Sequence, residues 1–461
     1  MELILGLILS LTAAVVGVWR VTATRDRPIH GPRADEMFRL PSLERYSTKH
    51  RGRRLENLRQ LSPRAEIGRY VVILAAVVAI AVLGFIAATV LRQTAGPETS
   101  EVEDTLARVV SLRAEASSAS DPNVSRELLQ QANDEISAVM EQMEPGPLRD
   151  DLAREQQSIA VELDRLGLIS RLPQVQVLGA VPVGSGARPS IFSGAGRLYL
   201  VSDALYQVDS TSGQLVRLLG AGDIVNGVPV GQIQGAAWRD DGPLVLDSEA
   251  AYVFDTTRGN WFREPLGKAE DGQPLSITAV AVFDYNLYIL EREHGRILKY
   301  AGGDYESAPE VWSDGLAGID LSAASDFVID GSVYVLLGNG QVLDLFLSRL
   351  EATWEPAVQP PLESAAGLFS SSNTADLYMV NTGDGRIVRI NRQGQLVQQF
   401  LPEPGTRSLA GATDIVVDET TGISYVLSND VLLTTRLGLN PGAPVQEDAA
   451  GVQRRLQENR H

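Results

Sequence analysis

The sequence predicts a mainly β chain, a six-bladed β-propeller preceded by two transmembrane helices and a short α-helical stalk. Three observations carry this expectation. Between residues 189 and 437 an apolar run built on a large side chain recurs six times, at Tyr199, Leu244, Tyr288, Tyr334, Tyr378 and Tyr425, at intervals of 45, 44, 46, 44 and 47 residues. A fixed period of this length, with room for four short strands in each repeat, is the signature of propeller blades. Two uncharged apolar runs stand at residues 3–19 and 70–91. Between the second run and the repeats, apolar residues return at helical rather than strand spacing.

Composition bounds what such a chain can do. It has 461 residues, 44% of them hydrophobic, which is enough for a sizeable core. With no cysteine there can be no disulfide, no thiolate metal site and no cysteine nucleophile. The net charge of −18 is unevenly spread: residues 20–69 carry a net +7 and residues 92–461 a net −24. A basic surface is what phosphate binding requires, so an acidic repeat region speaks against nucleic acid as a partner.

The first apolar run covers 17 residues and closes on Trp19, where an interfacial aromatic belongs; Glu2 precedes it instead of the basic residue of a cleaved leader. The second covers 22 residues with no polar face, long enough as a helix to cross about 30 Å of hydrocarbon. Between them lies the basic segment 20–69, including Arg51, Arg53, Arg54, Arg59, Arg64 and Arg69, while Glu98, Glu101, Glu103 and Asp104 follow the second run. The positive-inside bias then predicts residues 1–19 and 70–91 as spans, 20–69 as a cytoplasmic loop and everything after 92 as extracytoplasmic. The loop's plainest role is to set orientation and attract anionic lipid; a docking site for a cytoplasmic partner is the sharper one.

Residues 99–168 read as helices in a hairpin or stalk. Val102, Leu106, Val109 and Val110 form one stripe; Val124, Leu128, Ala132, Ile136, Val139, Met140 and Met143 a second; Leu148, Leu152, Ile159, Leu163 and Leu166 a third. Asp121 before Pro122 is an N-cap followed by proline in the first turn, and Pro145-Gly146-Pro147 is a break.

Each anchor strand is followed by a second apolar strand, at 205–208, 252–254, 297–300, 342–345, 387–390 and 431–433. Candidate inner strands precede it, such as Thr-Ala-Val-Ala-Val-Phe from 278, Ser-Asp-Phe-Val-Ile from 325 and Thr-Asp-Ile-Val-Val from 413, and outer strands follow, such as Gln-Leu-Val-Arg-Leu-Leu from 214. The last repeat runs out of strand after Arg436, whereas residues 174–181 form an apolar strand with no blade of their own. A ring with unjoined ends leaves sheet edges open, so residues 174–181 are expected to complete the last blade of a propeller spanning 174–437. The polar residues 441–461 are expected to be a flexible tail.

The fifth repeat, Leu-Tyr-Met-Val-Asn-Thr-Gly-Asp-Gly-Arg-Ile-Val-Arg-Ile-Asn-Arg-Gln-Gly from 377, resembles an NHL-type repeat, and the sixth, Gly-Ala-Thr-Asp-Ile-Val-Val-Asp from 411, opens similarly. The resemblance extends over the repeats to the six-bladed superfamily that includes YWTD-type and gluconolactonase-like members, although repeats one to four depart from the pattern in their loops. It implies the fold; such propellers host both binding modules and enzymes.

The loops after the anchor strands should gather on one face of the ring. They carry Ser202 and Asp203, Asp247 and Glu249, Glu291 with Arg292, Glu293 and His294, Asn339, Asn381 and Asp384, and Asn429 with Asp430. Carboxylates and amides are hard oxygen ligands suited to calcium or magnesium, yet Asp, Asn and Gly are also what hairpin turns demand. No other cofactor is implied. A calcium-dependent lactonase-like site would need a general base, and His294 is the single histidine of the repeats. No nucleophile elbow, paired-histidine zinc motif or phosphate loop is present. Trp238, Trp261, Trp312 and Trp354, spread over separate blades, suit packing between blades better than a shared groove. The expected function is recognition of a protein or an envelope ligand by a membrane-anchored propeller. A divalent-metal-dependent lactonase or esterase at the channel mouth, and a sensor coupled to a cytoplasmic partner, are the alternatives.

Overall fold

The computed structural model describes residues 97–182, 188–316 and 318–439. The two apolar runs, the basic segment 20–69 and the tail from 441 lie outside the described residues. Among the described residues no helix is long and apolar enough to cross a membrane.

Three helices come first: α1 (Pro97–Ser118), α2 (Pro122–Met140) and α3 (Pro147–Leu166). Asp121 caps α2 by accepting the Asn123 N–H at 2.8 Å, with Pro122 in the first turn. Val109, Ala132, Ile136, Leu152 and Ile159 form the shared core. Six of the seven residues of the second stripe pack in this core, and Val124 does not. Ser125, Leu129, Ala132 and Ile136 are the buried residues of α2, and Val124 is exposed, because Ser125 turns inward to donate its hydroxyl to the Ala116 carbonyl at 2.8 Å. Arg113 on α1 pairs with both Glu155 and Glu162 of α3.

The rest is a six-bladed β-propeller. Six antiparallel sheets have inner strands Ser190–Gly194, Gly235–Arg239, Ala279–Phe283, Ala324–Asp330, Ala365–Phe369 and Ala412–Asp418. In each sheet the anchor strand pairs with the inner strand, and all six anchors face inter-blade packing; Tyr199, Leu244, Tyr288, Tyr334 and Tyr378 are buried. The tryptophans share that packing. Trp238 of blade 2 stacks on Tyr199 of blade 1 at 5.7 Å, and Gly194 makes room for it, since a Cβ there would lie 2.0 Å from the indole.

Between the helices and blade 1 the chain lays down two strands, β1 (Ile169–Leu172) and β2 (Val175–Ala180). β2 pairs antiparallel with Val431–Arg436 as the outer strand of blade 6. β1 adds a fifth strand to blade 5, running parallel to Leu396–Pro402 with Ile169 opposite Gln399. Gln399 is fully buried and fastens the end of α3 to this edge. Its side chain donates to the Gly167 carbonyl at 2.5 Å and accepts from Arg386, which in turn is held by Asp384.

Candidate functional site

The six inner strands surround a channel of about 230 Å³. Its wall is irregular in one half. At the start of blades 4, 5 and 6 each inner strand carries a β-bulge, between Ala324 and Asp326, Ala365 and Gly367, and Ala412 and Asp414. A bulge takes one residue out of the ladder, freeing its carbonyl. The three extra residues are Ser325, Ala366 and Thr413, and one guanidinium collects their carbonyls. Arg188 donates to Thr413 at 2.6 Å, to Ser325 at 3.4 Å and to Ala366 at 3.5 Å.

The residue after each bulge is Asp326, Gly367 or Asp414. Asp326 accepts the N–H of Phe327 and of Leu368 in blade 5, both at 2.8 Å. Asp414 repeats the arrangement, accepting from Ile415 and from Ile191 of blade 1, again at 2.8 Å. Each carboxylate therefore sutures its own blade to the next. Blade 5 has no room for a third, because a Cβ on Gly367 would lie 2.6 Å from the Asp414 Cα. Both carboxyls face the channel but are ringed by protein atoms. Burial pushes both up from the ordinary carboxylate range; the charge of Asp326 raises Asp414 further, while the N–H donors and Arg188 pull back.

Two carboxylates and three carbonyls are a donor set of the kind that holds a hard cation. Here the cation is supplied by the chain. Arg188 sits on the carbonyls, and among the described residues no three His, Asp or Glu side chains converge as a metal-binding group.

The loops after the anchor strands lie at the same sheet ends as these bulges, and their residues divide into two kinds. Some are consumed internally. Asp247 accepts from Gly231, Glu249 and Ala250 N–H and from the Tyr252 hydroxyl, four bonds at 2.6–2.8 Å, and burial followed by this carboxylate pushes the Tyr252 phenol up to about 12. Glu291, fully buried, takes Arg296 on Oε2 at 2.6 Å and the Ser276 N–H on Oε1 at 2.8 Å, with His294 Nδ1 3.3 Å from that same Oε1. Asn381 accepts the Ser364 N–H at 3.1 Å and donates to Asp384 at 2.7 Å, and Asp384 pairs with Arg386. The others are presented outward: Asp203, Glu249, Glu293, Asn339, Asn429 and Asp430 are exposed. Of these, Asp203 takes the Ser202 and Tyr206 hydroxyls at 3.0 Å, and Glu293 the Ser276 hydroxyl at 2.9 Å. Asn339 accepts the Gln341 N–H at 3.1 Å.

Arg188, Asp326 and Asp414 were not among the predicted site residues. The signal was present: an acidic residue at the third position of two inner strands, after Ala-Ser in one blade and Ala-Thr in another.

The molecule is thus a six-bladed propeller whose channel mouth is plugged by its own arginine and rimmed by internally braced polar loops. No family model matches the chain, and no curated protein matches its sequence. Among solved structures it is similar to the gluconolactonase XC5397 of Xanthomonas campestris, at 12% identity and a TM-score of 0.41 over 57% of this chain and 89% of that one. It is also similar to the glutaminyl cyclase of Myxococcus xanthus, at 12% identity and 0.31 over 58% and 98%, and to YCF48 from Cyanidioschyzon merolae, at 14% and 0.36 over 54% and 81%.

Proposed function

We propose that this chain is a membrane-anchored protein whose propeller recognises a protein or an envelope ligand through the face carrying the anchor-strand loops. One observation carries the reading: many polar groups of this face are already bonded within the protein. Asp247 uses four acceptor positions, Glu291 is matched to Arg296, Asp384 to Arg386, and the three mouth carbonyls to Arg188. Such bracing fixes the loops, and fixed loops give a preorganised surface that loses little entropy on binding. A metal-dependent lactonase or esterase would need several of those oxygens open toward one ion, and among the described residues no three His, Asp or Glu side chains converge in that way. Recognition falls instead to the outward groups Asp203, Glu249, Glu293, Asn339, Asn429 and Asp430.

The test is capture of partners by the full-length protein and two variants. Arginine at Asp203, Glu249 and Asn339 reverses or adds charge on the loop face; arginine at Thr257 and Gln393 does so at exposed turns of the opposite face. A partner lost only with the first variant is the expected result. Equal recovery with both would overturn the proposal.

A further inference from the structure

The same face carries a second concavity, off the channel axis and between blades 2 and 3. Residues 266–276, which connect the outer strand of blade 2 to blade 3, bow outward over a cavity of about 590 Å³. Three clamps hold this roof. At one end the Gly267 N–H donates to the Tyr305 carbonyl at 2.8 Å, and the Tyr300 hydroxyl donates to the Gly267 carbonyl at 3.0 Å. At the other end Ser276 is bound through its N–H to Glu291 and through its hydroxyl to Glu293. Midway, Asp271 pairs with Arg296. The cavity is therefore a formed feature of the fold, and its size lies in the range of small-molecule pockets, roughly 300–1,000 Å³.

Its lining combines an apolar part with three basic side chains. Leu266, Leu275, Leu298 and Tyr300 supply the apolar part. Arg263, Lys268 and Arg296 supply the charge, in a chain whose acidic residues outnumber its basic ones by 58 to 40. Arg296 is neutralised by Glu291 and Asp271. Arg263 meets the Tyr252 hydroxyl, its Nε is enclosed with no hydrogen-bond partner, and neither it nor Lys268 takes part in an ion pair among the described residues. Against these two cations the pocket sets one uncommitted carboxylate, that of Glu249 at the exposed rim. A half-buried guanidinium without a counter-charge is costly in the free protein, and an anion entering the cavity relieves that cost.

We propose that this pocket binds a small organic acid, with one carboxylate directed to Arg263 and Lys268 and an apolar body against Leu266, Leu275, Leu298 and Tyr300. The proposal deepens the reading of this face as a recognition surface and rests on it. The probe is 4-phenylbutyrate, with its neutral amide as control, titrated against the full-length protein and followed by ligand-observed magnetic resonance. The acid is expected to bind and the amide to bind at least ten-fold more weakly, the factor of one charge-assisted hydrogen bond. Arg263→Gln should weaken the acid by about ten-fold and Lys268→Gln, at an exposed position where folding is not at stake, by a few-fold. Neither should change the amide. Equal binding of acid and amide, acid binding indifferent to Lys268→Gln, or no saturable binding of the acid would each overturn the proposal. Loss of partner capture by the loop-face variant together with failure of the acid to bind would remove the pocket while leaving the recognition face. Acid binding without any partner dependence on the face would do the reverse.

Discussion

The two halves of the ring are locked by different physics. Blades 4, 5 and 6 are joined by charge. Asp326 reaches Leu368, Asp330 takes Arg392 and the Ser370 hydroxyl, Glu419 takes the Tyr378 hydroxyl and the Ala375 N–H, and Asp414 reaches on to blade 1. Blades 1, 2 and 3 are joined mainly by shape. Trp238 fills the space at Gly194, Val280 the space at Gly235, and the Gly267 backbone lies against that of Ser307. Directional bonds leave little slack between blades, and the polar half closes tightly around Arg188. Between blades 2 and 3 the directional bonds gather on the connecting segment, at Gly267, Asp271 and Ser276, and the larger of the two cavities opens beneath it. A repeat of constant length can therefore be rigid on one side and hollow on the other.

The comparison can be broken most directly in blade 5. Gly367→Val places a side chain against the backbone of Asp414, where nothing can give, and should cost about 4 kcal/mol, at the upper end of single-residue effects, measured by chemical denaturation. In the apolar half, Trp238→Ala should cost about 3 kcal/mol by cavity formation, and that loss should be the same at pH 5 and pH 8. Arg188→Ala removes the charge that three carbonyls share and should cost about 2 kcal/mol; added methylguanidinium should restore part of it, a rescue no apolar contact would show.

The mildest effect sharpens the contrast through pH. Burial pushes both Asp326 and Asp414 above the carboxylate range of the unfolded chain, and the charge of Asp326 raises Asp414 further. The folded protein thus takes up protons that the unfolded chain does not. The resulting stabilisation is fully present below the unfolded pKa and is lost as pH rises through the raised folded-state titration of the pair. The charged groups facing the pair are Arg188 and each other. Melting temperature should fall between pH 5 and pH 8, and Asp414→Asn should flatten that slope by about 1 kcal/mol while Trp238→Ala leaves it unchanged.

How much of this was legible depended on whether a feature repeats. The blade count follows from anchors that must recur, because every blade buries one large side chain against its neighbour. The Asp326 and Asp414 sutures recur only twice, and a single acidic residue in a short strand is hard to tell from a turn residue. The bulges that aim Ser325, Ala366 and Thr413 at Arg188 leave no trace in composition. Glu291 read as a candidate ligand, yet the hairpin register that sets it opposite Arg296 already marked it as half of an ion pair. The parallel pairing of β1 has no local signal, since Ile169 and Gln399 are joined only through the closed ring. Val124 left the predicted stripe where the Ser125 hydroxyl turns inward to a carbonyl, which periodicity does not weigh.

The β1 edge has a mechanical meaning. A pull on Ile169 directed along the strand would load the backbone bonds to Leu396–Pro402 in shear, so that they share the load. An antiparallel edge gripped at its free end would instead unzip one bond at a time. Past β1 the chain turns into β2 on the neighbouring blade, so a pull must strip one sheet before it reaches the seam that closes the ring.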